Sequence, residues 1–152
     1  MVTINVGSPD QADVLALIAE LDAYQHSLYP AESVYALDLT AVSAQQLICA
    51  VARDAAQRAV ACAALVLASE YGEIKRMYVR PDQRGQGLAK QILSLLEAAA
   101  RQAGRREIKL ETGPRQTEAI RLYEHVGYRV CGRFGDYPDD PLSVFMCKGL
   151  VV

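Results

Sequence analysis

The chain lacks any surplus of positive charge: sixteen Lys and Arg stand against eighteen Asp and Glu, a formal net charge of -2. A surface that neutralises a phosphate backbone needs the reverse balance, so nucleic acid is not expected as the main partner. No apolar run is long enough for a bilayer, and the N-terminus MVTINVGSPD has neither a basic region nor an apolar core of the export type. No membrane association is expected, and a cytoplasmic location is. Cys-x-x-Cys spacing is missing too. Cys49, Cys62, Cys131 and Cys147 lie in apolar, strand-like surroundings, which suits small buried hydrophobes better than zinc ligands or disulfides. His26 and His125 have no second ligand at metal-binding spacing, so no metal is expected. No repeat, low-complexity tract or Pro/Gly-rich linker interrupts the 152 residues, of which 51% are hydrophobic, and one domain over 1–152 with a full core is expected.

What is present alternates between two periodicities. Thr3–Val6 reads as a strand, and Ser8-Pro9-Asp10 supplies turn and cap chemistry before the helical spacing Val14, Leu17, Ile18, Leu21. Between Tyr24 and Val42 the pattern breaks into an irregular, partly helical segment suited to lining a pocket. The apolar runs Leu47–Arg53 and Ala59–Ala68 predict a hairpin of largely buried strands, although the alanines of the second also suit a helix. Glu73–Val79 follows as a third strand, ended by Pro81. From Gly87 the stripe Leu88, Ile92, Leu95, Leu96, Ala99 predicts a helix closed at Gly104. Ile108–Glu111 (strand), Thr117–Val126 (helix) and two more strands, Tyr128–Cys131 and Ser143–Lys148, complete a mixed α/β (α+β) sheet.

One turn carries chemistry. In Val79-Arg-Pro-Asp-Gln-Arg-Gly-Gln-Gly-Leu-Ala89 a strand passes directly into a long helix through closely spaced Gly85, Gly87 and Ala89. Free N–H groups at a helix start attract anions, missing β-carbons let phosphate oxygens approach the backbone, and Arg84 adds a cation. Neither G-x-G-x-x-G nor G-x-x-x-x-G-K-[ST] is present, which counts against a Rossmann or P-loop nucleotide domain. An ordinary tight turn also favours glycine.

Arg84-x-x-Gly87-x-Ala89 resembles the R/Q-x-x-G-x-G/A signature of the GNAT family of N-acetyltransferases, and Gln116-x-x-Ala119-x-x-x-Tyr123 followed by Gly127-Tyr128 resembles that family's N-x-x-A-x-x-x-Y and G-[FY] pattern. The resemblance covers Glu73 to Val130 closely. It implies a mostly antiparallel, splayed sheet flanked by helices, with acetyl-CoA as co-substrate. The backbone of Met77, Tyr78 and Val79 would hold the pantetheine arm. Arg84, Gly85, Gln86, Gly87, Leu88 and Ala89 would hold the pyrophosphate, with further contacts from Gln116, Ala119 and Tyr123. One departure is Gln116, where many members carry asparagine; the longer amide changes the reach of that contact.

The implied reaction moves an acetyl group to a primary amine by direct attack. It needs a neutral amine, a polarised carbonyl and an acid for the departing thiolate. Tyr123 stands at the family's general-acid position, and Glu73 is the candidate base, with ordered water as the alternative. Strand alternation would set Glu73, Lys75, Met77 and Val79 on one side. For the acceptor, the resemblance points to Tyr24–Leu39 and Arg133–Leu142, giving Tyr24, His26, Tyr29, Glu32, Tyr35, Asp136 and Tyr137 as candidates. The acidic, aromatic second segment suits an ammonium group, and it also reads as a plain solvated turn. The expected partner is a small-molecule or amino-acid-like amine, with a homodimer left open. The competing readings are a non-catalytic acyl-CoA-binding or sensing module and acetylation of a protein lysine or N-terminus.

Overall fold

In the computed structural model, which describes residues 1–151, the two long apolar runs are adjacent strands, β2 (Leu47–Arg53) and β3 (Ala59–Leu67). They lack polar alternation because both faces are covered. Cys49 and Val51 of β2 and Cys62 and Ala64 of β3 pack with Val14, Leu17, Ile18 and Leu21 of α1 (Ala12–Leu28). Their neighbours Ala50, Ala52, Ala63 and Leu65 point the other way, onto Leu88, Ile92, Leu93 and Leu96 of α2 (Leu88–Gln102). Pairing with β2 on one side and with β4 (Gly72–Val79) on the other overrides the helix preference of the alanines.

The described residues form one seven-stranded sheet of order β1-β2-β3-β4-β5-β7-β6. The remaining elements are β1 (Thr3–Gly7), β5 (Glu107–Thr112), α3 (Thr117–His125), the two-residue β6 (Arg129–Val130) and β7 (Val144–Gly149). Every pairing is antiparallel except β4 with β5. The irregular segment after α1 consists of short 3-10 turns at Ala31–Ser33, Leu39–Ala41 and Ala44–Gln46. Cys49, Cys62 and Cys147 are buried and Cys131 half-buried, all as free thiols. No described helix is long and apolar enough to cross a membrane.

A buried charge ties α2 to the far end of the sheet. The Glu97 carboxylate, 6% exposed, accepts from the Tyr128 hydroxyl and from the Lys148 ammonium, each at 3.0 Å. Truncation would leave that ammonium facing a cavity without its counter-charge. Glu97→Ala is therefore expected to cost about 2–3 kcal/mol, seen as a lower urea midpoint with an unchanged slope.

Candidate active site

The parallel strands β4 and β5 pair only at Gly72 with Ile108, Glu73 with Lys109 and Ile74 with Leu110. Beyond Ile74, β4 stays with β3 as far as Val79, while β5 stays with β7 through Thr112. The sheet therefore opens at the carboxyl ends of the two strands, leaving one edge of each without a strand partner. A cleft of about 710 Å³ fills the gap. Lys75–Val79 form one wall, Glu111 and Thr112 the other, with Leu21, Tyr24 and Gln25 of α1 above and Thr117, Glu118, Ala119, Leu122 and Tyr123 at the opposite side.

Strand β4 does not alternate along its whole length. Arg76 has φ 59°, and the pairing skips one residue between Cys62 and Ala64, the mark of a bulge that sets Arg76 and Met77 opposite Ala63. The bulge reverses the parity. Met77 and Val79 pack with the α2 face, whereas Lys75, opposite Ala64, lies on the α1 face with Glu73, so the single-sided array expected from spacing is broken. A left-handed residue other than glycine costs about 1 kcal/mol or more. Offsetting contacts come from Asp22 of α1, whose oxygens meet the Arg76 guanidinium at 2.6 and 3.0 Å.

At the mouth, Gly85 and Gly87 have φ of 84° and 77°, and a β-carbon at either would meet nothing within 4 Å. Among the described residues, the N–H groups from Gly85 to Lys90 donate to no protein acceptor. Consecutive free donors, open space and the start of a fifteen-residue helix make an anion cradle. Arg84 folds back over the strand end, its Nε donating to the Val79 carbonyl at 3.0 Å. Gly85, Gly87, Leu88 and Ala89 line the cleft with Arg84; Gln86 is outside it, its amide on Gln83. Gly87→Ala is expected to cost only about 1 kcal/mol of stability but to raise the KM for acetyl-CoA about tenfold, because its methyl group occupies the space open to a phosphate. Steady-state kinetics beside thermal melting separates the two effects.

Of the other expected cofactor contacts, Met77, Tyr78, Val79, Gln116, Ala119 and Tyr123 all line the cleft. Gln116 is the N-cap of α3, with its Oε1 3.4 Å from the Thr112 hydroxyl. Tyr123 is 6% exposed, its ring is edge-on to Tyr128 at 5.7 Å, and its hydroxyl has no protein partner among the described residues. Burial pushes its pKa up, so the phenol keeps its proton across the neutral range.

The strongest acid-base candidate on the cleft wall is one the sequence reading did not name. Glu111, on the same side of β5 as Glu107 and Lys109, accepts from the Ser143 hydroxyl at 2.9 Å and is pushed up to a pKa of about 7 by burial, opposed by that hydrogen bond and by Lys75. Glu73 lies outside the cleft lining, its carboxylate held by the Tyr137 hydroxyl and 3.6 Å from the Lys75 ammonium. The rule that ligands of α/β sheets bind at the carboxyl ends of parallel strands is the signal that points to Glu111.

The acceptor candidates divide. Tyr24 and Tyr35 line the cleft. Tyr137 is packed among Phe134, Phe145 and Tyr35, with centroids 5.3 to 5.7 Å apart, and anchors the 131–143 loop. Tyr35 donates to Asp140 at 2.6 Å, which joins the two segments expected to form the acceptor wall and raises the Tyr35 pKa to about 12. Tyr29 is buried beneath the turn after β5. His26, Glu32 and Asp136 are exposed and outside the cleft lining.

Known proteins share this architecture. The acetyltransferase (GNAT) family matches residues 14–128. An IAA acetyltransferase of Azospirillum brasilense is 44% identical over 151 residues, covering 98% of each chain. A protein of Klebsiella pneumoniae assigned as an acyl-CoA N-acyltransferase is 42% identical, with a TM-score of 0.89 over 99% of each chain. A GNAT acetyltransferase of Elizabethkingia anophelis with acetyl-CoA bound shares the fold at 17% identity, TM-score 0.67, over 98% of each chain. With an opened sheet, an anion cradle and both signature motifs on one cleft, this chain belongs to the GNAT acetyltransferase family and is an acyltransferase enzyme.

Proposed function

We propose that the enzyme transfers an acetyl group from acetyl-CoA to the primary amine of a small molecule, with Tyr123 as general acid and Glu111 as the acceptor of the amine proton. The observation that carries this reading is the convergence of the anion cradle, the unpaired edge of β4, the Tyr123 phenol and the Glu111 carboxyl on one cleft. Bound acetyl-CoA supplies the acyl group as a reactive thioester. The amine nitrogen forms a bond to the thioester carbonyl carbon and the carbon–sulfur bond breaks. Glu111 takes the proton lost from nitrogen, and Tyr123 gives its own to the departing thiolate. A carboxyl with a pKa of about 7 is about half ionised at neutral pH and can receive that proton without a large energetic mismatch.

A small-molecule acceptor is supported by the name of the 44%-identical relative, an IAA acetyltransferase. The test is release of coenzyme A thiol from acetyl-CoA across amines, amino acids, polyamines and peptides. Turnover confined to peptides or proteins would reassign the acceptor, and coenzyme binding without turnover of any amine would favour a binding module.

A further inference from the structure

We infer that the acceptor carries a carboxylate beside its amine, in the manner of an α-amino acid, and that Arg115 receives that carboxylate; the inference rests on the acetyl-transfer reading above. Away from the glycine turn, with its Arg84 and Lys90, the charged groups lining the cleft are Lys75, Arg76, Glu111, Arg115 and Glu118. Two of the three cations are already matched. Lys75 donates to the Tyr137 hydroxyl and the Tyr35 carbonyl and lies beside Glu73, and Arg76 is clamped by Asp22. Among the described residues Arg115 has no carboxylate partner. An arginine left unmatched on a cleft wall repels a bare ammonium group and suits an acceptor with opposite charges at its two ends.

Arg115 is also held in place. Its Nη1 donates to the Leu28 carbonyl at the end of α1, its backbone N–H donates to the Tyr29 hydroxyl at 3.0 Å, and its guanidinium lies 5.9 Å from the centre of the Tyr29 ring. Tyr29 is fixed in turn by Gly113: a β-carbon there would fall 2.0 Å from the tyrosine hydroxyl, so only glycine lets the ring pass under the turn. Nε and Nη2 are left without protein acceptors, and planar guanidinium donors match a carboxylate in two parallel bonds. Arg115 follows Glu111 by four residues on the same wall and is tied to α1, whereas the anion cradle begins α2. An amine directed at Glu111 thus has its carboxylate on the side of Arg115, apart from the pyrophosphate.

The experiment measures kcat/KM for L-amino acids and for their C-terminal amides, matched side chain for side chain, in the wild type, Arg115→Gln and Arg115→Lys. The expected wild-type result is a preference for the acid of about 10- to 100-fold, the scale of hydrogen bonds to a charged group. Arg115→Gln is expected to bring the ratio close to one, through a higher KM for the acid and with the KM for acetyl-CoA within about twofold. Arg115→Lys should retain part of the preference by keeping the charge. Amides turned over as well as acids by the wild type would overturn the inference. So would an effect of Arg115→Gln on the KM for acetyl-CoA in place of the acid. Turnover of other amines but of no amino acid would overturn it too, whereas failure of the acetyl-transfer reading itself looks different: no thiol release with any amine, amino acid, polyamine or peptide.

Discussion

Tyr123→Phe is expected to lower kcat for acetyl transfer by about 100-fold or more, the scale of a positioned general acid, while the KM for acetyl-CoA moves little. The change removes one oxygen and keeps the ring that packs on Tyr128 and closes the base of the cleft. The hydroxyl faces the cleft and makes no hydrogen bond with the protein, so its removal costs the fold no internal hydrogen bond. The Tm of the variant should therefore hold or rise as activity falls, and that pairing separates a proton donor from a packing residue. Burial holds the phenol in its protonated form, so the wild-type rate should show no alkaline limb from this group below about pH 10. A variant with unchanged turnover and intact coenzyme binding would move the acid to water or to another side chain.

Glu111→Gln is expected to lower kcat/KM by about 100-fold and to erase the acidic limb expected near pH 7 in the pH profile of the wild type. What remains is the slower rise with pH that follows deprotonation of the amine itself. The same substitution has a stability signature with the opposite sign. Folding raises the carboxyl pKa from 4.5 to about 7, so between these values the unfolded chain gives up a proton that the folded one keeps. Stability therefore falls as pH rises through that window and levels above it. Glutamine does not titrate and can still accept from Ser143, so the variant should gain on the wild type in Tm between pH 5 and pH 8. Loss of activity together with gained stability at pH 8 would mark a charge kept for chemistry.

Local chemistry made much of the donor half legible. The glycine turn and the stripe of α2 depend on neighbours within a few residues, and so does the amphipathic pattern of α3; a single sequence records all three. The acceptor half depended on phase and on distant contacts. α1 continues to Leu28, and its 3.6-residue turn brings Leu21, Tyr24 and Gln25 to the cleft while leaving His26 in solvent. Reading Tyr24–Val42 as irregular concealed that phase. In β4 the bulge at Arg76 reverses the strand's sides, and arginine carries none of the usual marks of a positive φ. Glu111 shares the outward parity of Glu107 and Lys109, which in an ordinary amphipathic strand means solvent.

Local sequence sufficed for the order of elements, the place of the glycine turn, the tyrosine on the cleft wall and, through two motifs at their proper separation, the family. The long-range packing set which carboxyl on the cleft wall is drawn away from water. Glu111 loses water because β4 parts from β5 after Ile74 and because the 131–143 loop, anchored by Tyr137, brings Ser143 against it. A pKa is set by the solvent and charges surrounding a group, and those are supplied by segments far apart in the chain. The same holds for Arg115, which among the described residues has no ion-pair partner, a property of packing that no local spacing encodes.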